Sequence, residues 1–452
     1  MSLSTVAAAV HGALIGGDTQ IAGVATDTRT IREGELFVAL RGPRFDGHAF
    51  IAQARAKHAA AALVSEPVPE ALSQVQVSDT LRALGDLGAY WRTRFSLPVT
   101  AVTGSNGKTT VKEMLGSILG APALINAGNL NNEIGVPLTL CRLRKAHEFA
   151  VVELGMNHLG EIERLSLMTR PDIAIITNAA AAHLEGVGTI REVAQAKAEI
   201  FAGMSESGVV ILNADDPFFE FWRERARPRR CVAFGLDSNR DVWADVDRTF
   251  PDAQLTLHTR TGNVAVILPL PGIHNVYNAL AATAAALELG VDLEQIRAGL
   301  GRVSPMPGRL VARRARCGAH VFDDTYNANP ASLQMALETL TAVPGPRILV
   351  LGDMGELGEN AVQFHTEVGR KARKTGVSQL FAIGLLTRHA VEAFGPPARH
   401  FEDPRDLIDA LEKQIDPRTT VLIKGSRFMH MENIVAAIVV NGDSARSSGG
   451  TH

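Results

Sequence analysis

Short apolar runs alternate with stretches of helical spacing along most of the chain. Residues 36–40 and 61–65 read as strands, with an Ala-rich helix at 49–60 between them. Leu81, Leu84, Leu87 and Trp91 recur at helical spacing and predict a helix over 80–95, after which Leu97-Pro98 punctuates the chain. A second region opens on the β-branched run at Val99 and continues with strands at 149–154, 173–177, 209–212 and 232–234. Thr189-Ile190-Arg191-Glu192 is a capping-box pattern that opens a helix to about Phe201. Val276, Leu280, Ala284 and Leu287 share one face of a helix over 274–290, and Gly290 suits the C′ position. A third region repeats the alternation, with strands at 320–322, 348–351, 380–383 and 420–423 and helices at roughly 332–340, 362–375, 387–394 and 405–414. Strand and helix in alternation predict α/β architecture with doubly wound parallel sheets. The regions divide at 1–96, 97–313 and 314–452, with a Ser/Gly-rich tail from about 441 expected to be disordered.

Composition narrows the picture little further. The chain has 452 residues, enough for two to four domains, and its 46% hydrophobic and 21% charged content fits a soluble globular protein. A net charge of −3 gives no footprint for nucleic acid. Cys141, Cys231 and Cys317 are scattered, which fits a reducing compartment and argues against a disulfide framework or zinc site. The apolar run at 6–10 is too short for a signal peptide, and no segment approaches the ~18 apolar residues of a membrane span. A cytoplasmic location is expected.

Chemistry enters at Val99, where the chain reads V-T-A-V-T-G-S-N-G-K-T-T. A β-branched run ends in a glycine loop, then Lys108, Thr109 and Thr110 open a helix. Gly104 and Gly107 would let the backbone approach phosphate oxygens, with Ser105 and Asn106 between them. Lys108 would reach the terminal phosphates, and the Thr109 hydroxyl suits Mg²⁺. The usual loop has four residues between its glycines and this one has two, so the strand, the Gly-Lys-Thr-Thr sequence and the helix carry the reading together.

Polar residues follow the other strands directly: Glu153, Asn178, Asn213, Asp323, Asp353 and Lys424. Open α/β sheets bind ligands at the carboxyl ends of their strands, so one cleft between the second and third regions is expected. Glu153 is either a solvated strand-end acid or a carboxylate for Mg²⁺, and the phosphate loop favours the metal. His183 and Glu185 could serve metal or substrate on weak spacing evidence. Lys197, read from its helix alone, is a solvated lysine. Asn275 and Asn278, at i and i+3, could cap a helix or read a purine edge. The Asp323–Pro330 segment, with Asp324, Tyr326, Asn327 and Asn329, is read as a binding loop rather than a plain turn, and Lys424-Gly425-Ser426-Arg427 as an anion site.

Taken in order, these motifs resemble the Mur ligases of bacterial cell-wall synthesis. T-G-S-N-G-K-T-T at 103–110, N-L-N-N-E-I-G at 129–135 and P-G-I-H-N-V-Y-N at 271–278 carry the likeness. Among the members, D-T-Y-N-A-N-P at 324–330, L-G-D-M-G-E-L-G at 351–358 and K-G-S-R at 424–427 resemble those that add D-alanyl-D-alanine to UDP-N-acetylmuramoyl-tripeptide. The members that add diaminopimelate or lysine usually carry K-G-H-E and D-N-P-R; E-D-P-R at 402–405 is a lookalike far from its expected place. Asp27-Thr28-Arg29 stands where D-S-R is usual and keeps the hydroxyl.

The resemblance implies three α/β domains: a small N-terminal substrate domain, a central P-loop-type mononucleotide-binding domain and a C-terminal Rossmann-like domain. It implies an ATP- and Mg²⁺-dependent ligase working through an acyl phosphate, as a monomer. Lys108 and Thr109 would hold phosphates and Mg²⁺ beside Glu153, and His183 a second Mg²⁺. Lys197 would be carbamylated. Asn275 and Asn278 would face adenine, with Arg309 and Asp324 opposite. Tyr326, Asn327, Asn329, Lys424 and Arg427 would line the dipeptide and tetrahedral-intermediate site, and Thr28, Arg29, Asp46 and His48 would hold the UDP-sugar. Competing readings are the sister ligases, a folylpolyglutamate-type synthase and a nucleotide-switched binding protein without ligation.

Overall fold

The computed structural model describes residues 1–43, 45–69 and 71–440; the tail expected to be disordered lies outside them. Three sheets follow one another along the chain. The first orders its strands Ala13–Ile15, Ser73–Gln76, Ala61–Val64, Glu35–Val38 and Gly23–Ala25, parallel except for the first pair. Apolar clusters cover both faces, around Leu36, Val38 and Leu63 on one and Phe37, Ala62 and Val64 on the other. The alternation within Glu35–Val38 produces that division, because successive side chains leave opposite faces of a strand.

The central sheet is built around Val99–Thr103, flanked by Phe149–Glu153 on one side and Ile173–Ile176 on the other. The chain order reverses at this strand, the switch point at which open α/β sheets bind ligands. Val209–Asn213 and Arg230–Gly235 continue the parallel sheet. Beyond them the chain adds a meander that the hydrophobic reading missed: Val242–Arg248, Ala253–Thr259 and Gly262–Leu268, the last two pairs antiparallel. Its period-two burial, with Ala253, Leu255 and Leu257 inside, is the pattern of a half-buried sheet, not of the fully apolar parallel strands around it. The central sheet is therefore mixed, not purely parallel.

The C-terminal sheet runs Val311–Arg314, His320–Asp324, Thr420–Lys424, Arg347–Gly352, Gln379–Ile383 and Ala398–Phe401, parallel after the first antiparallel pair. Helices Pro330–Thr341 and Ala361–Lys374 cover one face, and Pro404–Glu412 and Glu432–Ile438 the other.

Predicted helices recur with moved ends. The predicted helix at 49–60 is a 3₁₀ turn, Gly47–Phe50, followed by Ile51–Ala56, and His58 in the left-handed region closes it. The capping box at Thr189 is formed, and Ile190–Ala198 runs into a 3₁₀ turn over Glu199–Phe201. Gly290, φ +80°, follows the C-cap of Ile273–Glu288. Helix Thr80–Arg92 lies against both the first core and the central domain. A side chain at Gly88 would meet Pro137 at 2.6 Å, Trp91 Nε1 donates to the Leu143 carbonyl, and the Arg92 guanidinium donates to the Thr169 and Phe95 carbonyls.

Candidate active site

The loop after Val99–Thr103 is braced on all sides. Gly104 has φ +146°, and a Cβ there would sit 1.9 Å from Thr177 Oγ1; Gly107 has φ +83°. Ser105 N–H donates to the Asn178 carbonyl and Asn106 N–H to Asn178 Oδ1, both at 3.0 Å. Thr177 Oγ1 donates to the Asn106 carbonyl at 2.6 Å. A fixed loop leading into helix Lys108–Leu119 presents backbone N–H groups and the positive end of the helix to an anion. Lys108 folds back on this loop, its Nζ 2.7 Å from the Gly104 carbonyl. Burial pulls its ammonium below the ordinary lysine range, opposed by Glu153.

Beside the loop, Glu153 is 2% exposed, and its Oε1 accepts from Asn131 Nδ2 at 2.7 Å. Its Oε2 is buried with no hydrogen-bond partner among the described residues. His183 Nδ1 lies 2.6 Å from Glu356 Oε2, and that contact holds the Glu356 carboxyl below its usual range. Lys197 is fully buried, with no partner for its Nζ among the described residues. Burial, with Lys108 nearby, drives its ammonium well below the ordinary range, so the amine is readily neutral. The sequence reading of Lys197 as a solvated helix lysine is therefore corrected: Val193, Ala194, Ala196 and Ala198 are buried on the same helix. No group of three or more His, Cys, Asp or Glu gathers among the described residues. Mg²⁺ does not need one, because it commonly takes one or two carboxylates with water and phosphate oxygens.

The facing wall comes from helix Ile273–Glu288 and the C-terminal domain. Asn275 and Asn278 are buried; Asn275 Nδ2 donates to the Pro271 carbonyl and Asn278 Nδ2 to Asn275 Oδ1. Burial pushes the His274 imidazole down to about 4, against a raising effect of Asp324. Lys424, 2% exposed, donates to Asp324 Oδ2 at 2.6 Å and to the Asn327 carbonyl at 2.9 Å. Arg309 stacks over the Tyr326 ring at 4.3 Å and donates to the Thr109 hydroxyl at 3.0 Å. Asn329 Nδ2 donates to Asn106 Oδ1 at 2.9 Å, so the third region touches the phosphate loop itself.

These groups enclose one cleft of about 950 Å³ between the central and C-terminal domains. Ser105 to Thr110, Glu153, His183, Asn275, Asn278, Arg309, Asp324, Tyr326, Asn327, Asn329 and Lys424 line it, and of the other strand-end residues Asn178 and Asn213 do too. Asp353 and Asp323 depart from the strand-end pattern: Asp353 accepts from the N–H groups of Leu385, Leu386 and Thr387, and Asp323 lines a second cavity. Arg427 does not line the cleft. It lines that adjoining cavity of about 750 Å³ and pairs with Glu432 at 2.9 Å. Lys197, fully buried, does not line the cleft either. Asn329 lines the cleft, but its side chain caps helix Pro330–Thr341 through Ser332 as well as holding Asn106, which leaves little of it for a substrate. In the first domain, Thr28 is buried with its hydroxyl on Gln53, and Asp46 caps the 3₁₀ turn while His48 Nε2 accepts from Ser65 N–H. Arg29, paired with Asp27, and Asp46 are the exposed members of that set. Asn131, His274 and Glu356 lie inside the motifs quoted above, but their contacts cross between distant segments and leave no spacing signal.

A braced phosphate loop at the switch point of a mononucleotide-binding sheet, closed over by a second α/β domain with a buried lysine of its own, defines a nucleotide-dependent enzyme of the P-loop type. The chain belongs to the Mur ligase family: residues 20–92 match its catalytic domain, 102–286 its middle domain and 308–427 its glutamate ligase domain. It is 43% identical to the UDP-N-acetylmuramoyl-tripeptide–D-alanyl-D-alanine ligase of Escherichia coli, over 98% of this chain and 99% of that one. It is 35% identical to the Bacillus subtilis protein of the same name, over 93% and 94%. Among solved structures, MurF from Acinetobacter baumannii superposes with a TM-score of 0.90 at 39% identity, covering 96% of this chain and 97% of that one. The MurF ligase of Thermotoga maritima in complex with ADP gives 0.81 at 27% identity, covering 92% and 96%.

Proposed function

We propose that this chain joins D-alanyl-D-alanine to UDP-N-acetylmuramoyl-tripeptide with ATP, releasing ADP and phosphate. The observation that carries the reading is the single cleft in which the phosphate loop faces the Lys424–Asp324 pair across about 950 Å³. The full-length likeness to ligases of that name supports the choice of substrates.

The chemistry follows from the charges. A carboxylate resists attack by an amine, so the tripeptide carboxylate first takes the γ-phosphoryl group and becomes an acyl phosphate. The dipeptide amine then attacks the acyl carbon, phosphate leaves with its bonding electron pair, and the amine gives up a proton. Lys108 leaves the Gly104 carbonyl to meet the phosphates, and Arg309 exchanges the Thr109 hydroxyl for the nucleotide. Asn275 and Asn278 face the base, and Asp324 approaches from the far wall. Lys424, already paired, holds the Asp324–Asn327 loop and places positive charge where the tetrahedral oxyanion develops. Tyr326 and Asn327 border the dipeptide. The first domain takes the UDP-sugar, with Arg29 its exposed cation.

Mg²⁺ fits the donor set. The unpartnered Glu153 Oε2 and the Thr109 hydroxyl suit one ion, and His183 suits a second. When bound, the ions neutralise the polyphosphate charge. The buried, unpartnered amine of Lys197, which burial eases toward its neutral form, suits carbamylation: the neutral amine adds to CO₂, releases a proton and becomes an anion. The proposed enzyme works as a monomer in the cytoplasm; no helix among the described residues is long and apolar enough to cross a membrane.

The test is phosphate release from MgATP with each substrate pairing. UDP-N-acetylmuramoyl-tripeptide with D-alanyl-D-alanine should release phosphate and give a pentapeptide by mass. Release only with the dipeptide precursor and diaminopimelate or lysine would move the enzyme one step earlier. Silence with both would leave a nucleotide-switched binding protein.

A further inference from the structure

Two residues at the joint between the central and C-terminal domains hold unusual backbone. His183 has φ +59° and Glu356 φ +61°, left-handed values that are uncommon for residues other than glycine and that gather at functional sites. Each is held by buried neighbours: Ala182 and Leu184 around His183, Met354 and Leu357 around Glu356. The Glu356 segment is also tied to its own domain, with Met354 N–H donating to His365 Nε2 and Gly355 N–H to Ser426 Oγ. Glu185 N–H donates to the Glu356 carbonyl at 3.2 Å across the joint. The outcome is a pair of side chains from different domains, His183 Nδ1 and Glu356 Oε2, 2.6 Å apart at the edge of the cleft, in ion-pair contact but off the line of an N–H hydrogen bond, so that His183 Nδ1 has no aligned partner among the described residues.

We propose that Glu356 is a positioning residue for His183, delivered by the C-terminal domain, which orients the imidazole so that Nε2 faces a divalent cation in the cleft. The inference rests on the reading of His183 as a metal ligand. A neutral imidazole carries one N–H and one lone pair. A carboxylate only accepts, so its charge 2.6 Å away favours the proton on Nδ1, where a small turn of the ring completes the hydrogen bond, and the lone pair stays on Nε2, the nitrogen left free for a ligand. A carboxylate behind a metal-binding histidine typically fixes both tautomer and ring orientation. Here that partner comes from another domain. The histidine is fully oriented only when the domains are docked, so the second cation site is completed by closure, not in advance of it. Phosphoryl transfer is thereby deferred until the domain that carries Lys424 and Asn327 has arrived.

The test uses the full chain labelled with ¹⁵N-histidine, as wild type, E356A, E356Q and H183A, the last to assign the resonance. Long-range ¹H–¹⁵N spectra of the metal-free protein should show His183 as the Nδ1–H tautomer in wild type. E356A should give a mixture containing Nε2–H, while E356Q, whose amide oxygen accepts the same bond, should stay near wild type. In parallel, Mn²⁺ titration by EPR with a non-hydrolysable ATP analogue should show one Mn²⁺ weakened about 10–100-fold in E356A. An unchanged His183 tautomer in E356A overturns the proposal, and so does a changed tautomer with unchanged Mn²⁺ binding in E356A where H183A weakens it. Unchanged Mn²⁺ binding in H183A instead overturns the ligand reading, and the tautomer spectra tell the two failures apart.

Discussion

His274 makes the site acid-sensitive in a way that can be measured. Its imidazole is pushed down from the ordinary 6.5 to about 4, chiefly by burial beside Asp324 and Lys424. Between those values the unfolded chain binds a proton that the folded chain refuses, so stability rises with pH across this window and falls on acidification. The full difference corresponds to about 3 kcal/mol, and the part lost between pH 7.5 and pH 5 to about 2 kcal/mol. The ring edge lines the cleft, so solvent screening brings the expected value nearer 1–2 kcal/mol. The perturbation is H274Q, which keeps a polar side chain and removes the titration. Urea unfolding of both proteins at pH 7.5 and pH 5 gives the four stabilities. Wild type should lose roughly 1–2 kcal/mol more than H274Q on acidification. Equal losses, or an NMR titration of His274 near 6.5, would refute the burial argument.

Other expectations can be checked as directly. Gly104→Ala should weaken ATP binding about 10–100-fold by calorimetry, because its Cβ collides with Thr177 Oγ1 in a backbone region that strains alanine; unaltered affinity would show that the loop yields. Lys424→Met should cost about 3–5 kcal/mol in urea by stranding Asp324, and D324N/K424M should recover part of it; no recovery would mean the lysine acts by packing alone. Thr189→Ala removes the side-chain arm of a formed capping box, keeping the backbone N–H that donates to Glu192, and should cost about 1 kcal/mol in thermal unfolding, whereas Thr189→Ser should cost less. Bicarbonate labelled with ¹³C should give a carbamate resonance that grows toward alkaline pH and is missing in K197R; the same signal in both would place the modification elsewhere.

The parallel strands were legible because each is a short apolar run buried on both faces, as at Ile173–Ile176. Their carboxyl ends gave away the cleft, since Glu153 and Lys424 break an apolar run where the strand stops. The meander over Val242–Arg248, Ala253–Thr259 and Gly262–Leu268 was illegible because its alternating polar positions dilute the apolar signal. Lys197 could not be read from its helix: a buried lysine and a solvated one have the same letter, and only the folded chain's burial of that helix face separates them. The Asn106–Asn329 bond and the His183–Glu356 contact join residues 223 and 173 positions apart (329 − 106 and 356 − 183), beyond any local pattern. Arg427 stands outside the main cleft for a related reason. Its position after Lys424 is fixed by the chain, but the turn into Arg427–Met429 carries its side chain round to Glu432.

Helix Thr80–Arg92 has a consequence for anyone who would divide this chain. By sequence it closes the first domain, and Leu84 and Leu87 do belong to that core. Yet Gly88 meets Pro137, Trp91 serves Leu143, and the Arg92 guanidinium caps carbonyls at Thr169 and Phe95. A gene cut just before Val99 would strip the central domain of the helix that seals one of its faces, taking the Arg92 donor from the Thr169 carbonyl and leaving the Leu143 carbonyl to Arg144 alone. A cut at Asp79 would keep those contacts and sacrifice part of the first core instead. The two domains share one structural part, so neither can be lifted out whole, and the first sheet is anchored to the nucleotide-binding body through that part.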